Sequence, residues 1–315
     1  MIAMATDHVL RLGSRGSLLA RSQSQMVADD LVHVHPGLRV ELVIIKTSGD
    51  QVQDKPLADI GGKGLFTKEL EQAVLDKDVD FAVHSFKDVP VTMPLVDQSD
   101  LIIAAVPKRE VPFDALVSLK AKSIGELPQG AKIGTGSLRR RAQLLELRPD
   151  LNIENIRGNV DTRIRKMKSG EFDAVILAVA GLRRSGLFDP AFMTPLTELL
   201  PAAAQGALAL QCRKDDLRTR AILDSLNDPP SHLCVDCERA IVQALQGDCH
   251  SPIAALATID ASEMTLRAAV AGRDGVPPVL RAESSKPAHE SATCVKQVAE
   301  QLAFLGAPNI LHGTG

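Results

Sequence analysis

The chain has 315 residues, of which 45% are hydrophobic, and a formal net charge of -3. This length predicts two or three domains, and the balanced charge excludes a global basic field that would recruit nucleic acid or a membrane surface. Residues 1–7 lack the basic and apolar regions of an export signal, and no apolar run approaches the roughly 18 residues of a membrane-spanning helix. We therefore expect a cytoplasmic protein. Its five cysteines are too few for a disulfide scaffold and are expected to be reduced.

The N-terminal part of the chain alternates predicted strands with predicted helices. Apolar residues recur at helical spacing in the helices, and the strands are short apolar runs bounded by turn residues. This alternation predicts a parallel α/β sheet. The predicted elements in chain order are a strand at 9–12, a helix at 18–32, a strand at 40–45, a helix at 66–75 and a strand at 81–84.

The same plan recurs from Lys132 onwards. Gly136-Ser137-Leu138 repeats Gly16-Ser17-Leu18 at the start of a helix. The recurrence predicts two similar α/β lobes. The second set comprises a helix from 138 to about 148, a strand at 153–156, a helix at 160–167 and a strand at 174–178.

The segment 227–230, Asn-Asp-Pro-Pro, interrupts this pattern and marks a small α+β third domain. That domain is predicted to hold a helix at 231–246, three antiparallel strands near 254–259, 266–270 and 279–283, and a helix near 290–305. The predicted domains are 1–104 with 205–228, then 105–204, then 229–315. Cys249 lies between the first helix and the first strand of the third domain, where its glycine, histidine and proline neighbours favour an accessible thiol.

Arginine and serine side chains recur in the turns that enter predicted helices. A helix N-terminus offers free N–H groups and a positive dipole end, and an arginine fork adds two charge-assisted bonds to a carboxylate or phosphate. These turns follow strands, and open α/β sheets bind ligands at the carboxyl ends of their strands. A solvated arginine or a pair with a nearby acid is the alternative at each position. The residues concerned are Arg15, Ser17, Ser137, Arg139, Arg140, Arg157 and Arg163.

The segment His84-Ser85-Phe86-Lys87-Asp88 also follows a predicted strand. It brings one carboxylate beside a lysine, a hydroxyl and an imidazole. Asp88 is a candidate for acid–base or electrostatic chemistry, and the alternative is an aspartate that bonds its own backbone in a turn. His84 is equally compatible with a hydrogen-bonded histidine in the core.

The remaining cysteines permit two interpretations. Cys234 and Cys237, with Cys249 and His250, have the residue types of a zinc site. Cys234 and Cys237 also fall on one helical stripe with apolar residues, which favours two buried thiols. Cys212 follows the apolar segment 207–210 and is expected to be buried, and Cys294 belongs to the last predicted helix. The glycine-rich loop 61–64 carries Lys63 and lacks the spacing of a P-loop, so it is predicted to be a mobile lid or a turn.

Taken together, these motifs resemble the porphobilinogen deaminase family over nearly the whole chain. No single motif carries the resemblance, which rests on the set. The matching stretches are 10–12, 61–70, 83–90, 134–140, 157–163, 177–182, 205–207, 238–240 and 247–249.

The resemblance implies a transferase of porphyrin and heme biosynthesis. Its fold would be two periplasmic-binding-protein-like α/β domains with a small α+β C-terminal domain. The family condenses four porphobilinogen molecules head to tail, with loss of ammonia, and releases the linear tetrapyrrole hydroxymethylbilane by hydrolysis. A dipyrromethane cofactor would be joined to Cys249 through a thioether, and Asp88 would be the main catalytic carboxylate. The resemblance favours a monomer that uses no metal.

The resemblance also assigns roles to other positions. Cofactor contacts would be made by Asp88, Lys87, Ser85, Ser137, Arg139, Arg140 and Arg184. Substrate contacts would be made by Arg15, Ser17, Lys63, Arg157 and Arg163. The sequence departs from the family pattern at Gly136 (usually serine), Asp59 (often lysine), Asp248 (usually glycine) and Cys237 (usually alanine). The alternative function is a non-enzymatic small-anion binding protein built from the same two lobes.

Overall fold

A computed structural model describes residues 9–47, 67–91, 100–248 and 251–312. The chain forms two compact units, one of Met1–Arg109 with Ala207–His232 and one of Glu110–Gly206 with Leu233–Gly315. Each unit contains a five-stranded sheet, and the second also contains a three-stranded sheet. The division into three domains stays a prediction.

The strands are β1 (Val9–Ser14), β2 (Arg39–Ile44), β3 (Phe81–Ser85), β4 (Leu101–Ala105), β5 (Asp114–Val117), β6 (Lys132–Gly134), β7 (Asn152–Glu154), β8 (Ala174–Ala178), β9 (Met193–Leu196), β10 (Leu208–Arg213), β11 (Ile253–Asp260), β12 (Glu263–Val270) and β13 (Leu280–Pro287). The helices are α1 (Leu18–Val34), α2 (Lys68–Leu75), α3 (Leu138–Leu147), α4 (Val160–Lys168), α5 (Val179–Arg184), α6 (Leu217–Asp224), α7 (Pro229–Ala244), α8 (Ser291–Phe304) and α9 (Ala307–His312). Short 3-10 turns cover Phe86–Asp88 and Ala288–Glu290.

The sheet of the first unit has the strand order β2-β1-β3-β10-β4. β1 pairs in parallel with β2 and with β3, whereas β10 runs antiparallel to both β3 and β4. The sheet is therefore mixed. The wholly parallel sheet that the strand–helix alternation predicts is wrong in this respect. The reason is that β10 comes from a distant part of the chain, so no helical crossover of the βαβ type sets its direction.

The sheet of the second unit has the order β7-β6-β8-β5-β9. β6 pairs in parallel with β7 and β8, and β5 runs antiparallel to β8 and β9. Each sheet thus has three parallel strands followed by two that alternate in direction. The predicted repeat of two similar α/β lobes is confirmed.

Helices pack on both faces of each sheet. Successive residues of a strand point to opposite faces, and in the central strands the residues on both faces are apolar. In β3, Phe81 and Val83 join the core under α1, while Ala82 joins the core under α2. In β8, Ile176 packs on the side of α3 and Val175 on the side of α4. Apolar side chains on both faces make these strands continuous hydrophobic runs, as expected for central strands of an α/β sheet.

The three-stranded sheet has the order β11-β12-β13 and is antiparallel throughout. Helix α8 packs on β12 and β13, with Cys294, Val298 and Leu302 buried along it. The predicted small α+β segment near the C-terminus is confirmed. No helix in the described part of the chain is long and apolar enough to cross a membrane.

Glu238 on α7 joins this sheet to the segment that precedes β10. Its carboxylate is fully buried and accepts hydrogen bonds from the backbone N–H of Ala204, at 2.7 Å, and of Ala257, at 2.8 Å. Each carboxylate oxygen therefore satisfies a buried backbone donor that would otherwise lose a partner.

We predict that Glu238→Gln lowers the free energy of unfolding by about 1–3 kcal/mol, because the amide NH2 faces a backbone donor in place of an acceptor. Urea unfolding followed by circular dichroism measures the change. Glu300→Gln is the control, since Glu300 lies in an exposed pair with Lys296 and should change stability by about 0.5 kcal/mol or less. Equal stability of the Glu238 variant and the wild type would contradict the assignment.

Candidate active site

A cavity of about 70 Å³ lies in the first unit at the carboxyl ends of β1 and β3. Arg15 follows β1 in the chain, and Asp88 follows β3. Because these two strands are parallel neighbours, their carboxyl ends lie at the same edge of the sheet. The structure therefore brings Arg15, Ser17, Ser85 and Asp88 to one cavity.

Local bonding holds this cavity together. Ser17 is the N-cap of α1, and its Oγ accepts a hydrogen bond from the backbone N–H of Ala20 at 3.3 Å. Gln23, one turn further along α1, donates from Nε2 to Oγ of Ser85 at 3.0 Å. Helix α1 therefore places its N-terminal donors beside the end of β3, where a negative charge is stabilised.

Asp88 sits in the 3-10 turn that follows β3, and its side chain is exposed. The turn is anchored on either side by buried Phe86 and Val89, and the N–H of Phe86 donates to the carbonyl of Ala207 at 3.0 Å. Lys87 lies in the same turn and is half-buried. Two apolar anchors thus fix the backbone of a turn that presents a carboxylate to the cavity.

His84 is a buried histidine that lines the cavity. Its Nε2 lies 2.9 Å from Oε1 of Gln211 on β10, and Gln211 donates to Glu71 at 3.3 Å. Burial lowers the pKa of His84 to about 4, an effect that the bond to Gln211 opposes and the nearby Arg15 reinforces. His84 is therefore neutral near pH 7, which agrees with the interpretation of a hydrogen-bonded core histidine.

In the second unit, Ser137 is the N-cap of α3 and accepts from the backbone N–H of Arg140 at 3.4 Å. Arg139 and Arg140 are both buried, and both reach the carboxylate of Asp114. Nη2 of Arg139 lies 2.9 Å from Oδ2, and Nη2 of Arg140 lies 2.6 Å from Oδ1. Burial lowers the pKa of Arg139, which the charge of Asp114 partly offsets. Pairing with a local acid therefore accounts for part of their bonding.

The other candidate site arginines of the second unit, Arg157, Arg163 and Arg184, follow β7 and β8 in the chain. Arg163 on α4 donates from Nε to the carbonyl of Gly158 at 2.8 Å, which closes the turn that carries the half-buried Arg157. Arg184 on α5 donates to the carbonyl of Gly206 at 2.8 Å, and burial lowers its pKa to about 10. Since β6, β7 and β8 are parallel, α3, α4 and α5 all begin at the same edge of the sheet.

Cys249, Lys63, Asp59, His250 and the glycine loop 61–64 lie outside the described residues. The residues beside Cys249 are described. A Cβ atom on Gly247 would lie 2.4 Å from Cδ1 of Ile253, so a larger residue at this position would require the Ile253 side chain to move. Asp248 accepts hydrogen bonds at Oδ1 from both the N–H and the hydroxyl of Ser251, each at 2.9 Å. The aspartate that replaces the family glycine thus bonds to Ser251 across Cys249 and His250 in the sequence.

Four of the cysteines are described, and the side chains of all four are buried. Cys234 and Cys237 lie on the buried stripe of α7, which confirms the helical-stripe interpretation, and burial raises the pKa of Cys237 to about 12. Among the described residues there is no group of three or more histidine, cysteine, aspartate or glutamate side chains that could hold a metal ion.

Sequence reasoning did not identify Gln23, Asp114, Gln205 or Gln211 as site residues. Asp114 opens a strand in which every residue is buried, and Gln211 lies in a second such strand. A polar residue inside a continuous apolar run is the signal that could have identified both, because a buried polar group requires a partner. Gly136 stands where the family usually has serine, and a Cβ atom at this position would lie 2.9 Å from Oδ1 of Asn155.

Comparison with known proteins agrees with the motifs. A family model described as "Porphobilinogen deaminase, dipyromethane cofactor binding domain" matches residues 10–221, and the model of the porphobilinogen deaminase C-terminal domain matches residues 232–303. The chain belongs to the porphobilinogen deaminase family. The porphobilinogen deaminase of Syntrophobacter fumaroxidans is 44% identical over 98% of this chain and 98% of its own length. That of Syntrophotalea carbinolica is 45% identical over 97% of this chain and 96% of its own length.

Solved structures of binding proteins are also similar to this chain. A periplasmic substrate-binding protein of an ABC transporter from Coxiella burnetii is 17% identical, with a TM-score of 0.42 over 73% of this chain and 96% of that one. The methionine-binding protein MetQ is 16% identical, with a TM-score of 0.43 over 69% of this chain and 89% of that one. The strand orders of the chain's own three sheets confirm the predicted α/β class with two lobes and a small α+β segment.

We predict that the stability contributed by His84 is present above about pH 6.5 and is lost as the pH falls toward 4. Over this range the histidine binds a proton in the unfolded chain but stays neutral in the folded chain, where its pKa is about 4. His84→Gln should remove about 2 kcal/mol of the loss between roughly pH 7 and pH 5. Urea unfolding of wild type and variant at both pH values measures it. His289→Gln is the control, since the His289 side chain is 80% exposed. An unchanged pH dependence in the His84 variant would refute the assignment.

Proposed function

We propose that this chain carries out the reaction of its family through a site in which Asp88 is the catalytic carboxylate. The reaction is the head-to-tail condensation of four porphobilinogen molecules with loss of ammonia, followed by hydrolytic release of hydroxymethylbilane. The observation that carries the proposal is the placement of Asp88 and Arg15 in one cavity at the edge of the first sheet. A carboxylate for the ring and a cation for an acidic side chain are the two groups that an acidic pyrrole requires.

Asp88 acts on the positive charge that develops when ammonia leaves porphobilinogen. Its carboxylate accepts a hydrogen bond from the pyrrole N–H and lies near the ring that becomes cationic, so it stabilises the transition state more than the ground state. The buried neutral His84 supplies no competing positive charge at this point. The turn, with Phe86 and Val89 buried on either side of Asp88, keeps the carboxylate in place while successive rings arrive.

Cationic side chains and helix N-termini bind the acetate and propionate groups. Each charge-assisted bond of this kind contributes about 1.5 to 3 kcal/mol, so several together dominate binding of a polyanion. The residues assigned to the cofactor are Ser85, Lys87, Asp88, Ser137, Arg139, Arg140 and Arg184, and those assigned to the substrate are Arg15, Ser17, Lys63, Arg157 and Arg163.

The dipyrromethane group fits this set of residues. It is an acidic molecule with pyrrole donors, and the described residues offer guanidinium donors in the second unit and an exposed carboxylate in the first. When bound through a thioether to Cys249, it supplies the pyrrole end to which substrate is joined. The hydrogen bonds between Asp248 and Ser251 hold together the two residues that flank Cys249 and His250 in the chain. In this proposal Cys249 is an anchor and not a turnover nucleophile, because the thioether persists through the condensation steps.

The protein is also proposed to be a cytoplasmic monomer that binds neither nucleic acid nor membrane. The formal net charge of -3 supports the absence of a nucleic-acid surface. The alternative of a non-enzymatic anion-binding protein accounts for the two lobes but not for family matches that extend through residues 232–303.

We predict that intact-protein mass spectrometry shows an addition of two pyrrole units on the wild-type chain and none on Cys249→Ser. The reason is that serine cannot form the thioether. Cys294→Ser is the matched control, because Cys294 is a fully buried free thiol and its loss should leave the adduct in place. A fully active wild-type chain of unmodified mass would contradict the anchor role of Cys249.

We predict that Asp88→Asn folds normally and loses roughly 10² to 10⁴ in turnover rate, as expected when charge stabilisation or proton transfer runs through this carboxylate. The measurement is the rate of hydroxymethylbilane formation per cofactor-bearing chain. Asp29→Asn, an exposed aspartate on α1 of the same unit, should keep wild-type turnover. Near-normal turnover of the Asp88 variant would remove Asp88 from the mechanism.

A further inference from the structure

Asp114 is a buried carboxylate at the start of β5, with no exposed surface. Three side-chain donors converge on it. Arg139 bonds to Oδ2 at 2.9 Å, and Arg140 bonds to Oδ1 at 2.6 Å. Gln205 also donates to Oδ1, at 2.8 Å, and donates to the carbonyl of Pro112 at 2.7 Å. The two arginines are adjacent in the chain, and a single carboxylate therefore fixes the direction of both side chains.

Backbone carbonyls fix the other end of each guanidinium. Nη1 of Arg139 donates to the carbonyl of Leu200 at 2.6 Å, and Nη1 of Arg140 donates to that of Ile176 at 2.9 Å. Each guanidinium is thus held at two nitrogens and cannot rotate without breaking a charge-assisted bond. Such a constraint preorganises the remaining N–H groups for a ligand at no further entropic cost.

The guanidinium groups of Arg139 and Arg140 have a hydrogen-bond donor and positive charge that an anion could pair with. Nε of Arg140 is buried and has no hydrogen-bond partner among the residues that the structure describes, and the side chain as a whole is only 8% exposed. Among these residues, the ion pairs recorded for Arg139 and Arg140 both go to Asp114, so two positive charges share one negative charge. A buried charged donor without an acceptor is unfavourable, and an anionic ligand would supply both the acceptor and the missing charge.

We propose that Asp114 is a positioning residue that orients Arg139 and Arg140 for the carboxylate groups of the acidic pyrroles from which the cofactor is built. The inference rests on the proposed function of this site. Asp114 touches neither substrate nor cofactor in this role and acts through the two arginines. Gln205 supports it through a second hydrogen bond to Oδ1, the oxygen that also accepts from Arg140.

The test follows cofactor assembly on the full chain purified without its cofactor. Porphobilinogen is added over a range of concentrations, and intact-protein mass spectrometry follows the adduct with time. Asp114→Glu keeps the charge but lengthens the side chain by one methylene, so it moves the guanidinium groups. The half-saturating concentration of porphobilinogen should rise roughly ten- to hundred-fold, with a nearly unchanged maximum rate, the effect of a misplaced charge-assisted bond.

Asp173→Asn is the matched control for loss of an ion-paired aspartate in the same unit, since Asp173 pairs with Lys120 and also accepts the N–H of Lys132. It should assemble the cofactor at the wild-type half-saturating concentration. Thermal unfolding of each variant separates a change in ligand use from a loss of fold.

Gln205→Met keeps both ion pairs of Asp114 and removes the side-chain amide that donates a hydrogen bond to it. This variant tests the positioning role if Asp114→Glu does not fold. It should raise the half-saturating concentration roughly two- to tenfold. Wild-type values in Gln205→Met, or in a folded Asp114→Glu, overturn the positioning role. A wild-type chain that gains no adduct would instead refute the proposed function.

Discussion

The parallel pairing of three neighbouring strands in each lobe is the constraint on which the site depends. Parallel strands end at the same edge of a sheet, and the helices that follow them begin there. In the first unit this places Arg15 and Asp88 together, although they are far apart in the chain. In the second unit it gathers the starts of α3, α4 and α5 at one edge. The helix N-termini add their dipoles to the same regions.

Each lobe then inserts one antiparallel strand beside its parallel set, and that strand brings a buried polar side chain to the site residues. In the first unit β10 carries Gln211, which bonds to His84. In the second unit β5 carries Asp114, which bonds to Arg139 and Arg140. Both strands are buried along their whole length, so these polar side chains stay in place only because their partners are fixed. The repeat therefore extends from the fold to the way each site is supported.

The strand–helix alternation and the paired Gly-Ser-Leu turns were sufficient to predict the two lobes, because the helical and strand periodicities are local. The sequence did not predict four of the strands, β4, β5, β9 and β10. Their partners lie far away in the chain, and no local period marks four-residue strands such as Asp114–Val117. The position of Asp88 at a strand end was predictable for the same local reason. The link from Asp114 to Arg139 was not, since it depends on which strand lies beside β8.

The two lobes differ in how their charged side chains are balanced. In the first unit the exposed carboxylate of Asp88 and the guanidinium of Arg15 line one cavity with a histidine that burial keeps neutral. In the second unit one buried carboxylate is shared by two arginines, and under the proposed function the remaining positive charge attracts acidic side chains. Placing a second acid beside these arginines would complete their neutralisation and remove the attraction for a carboxylate ligand. An amide at Gln205 satisfies Asp114 without that cost, because it adds a hydrogen bond but no charge.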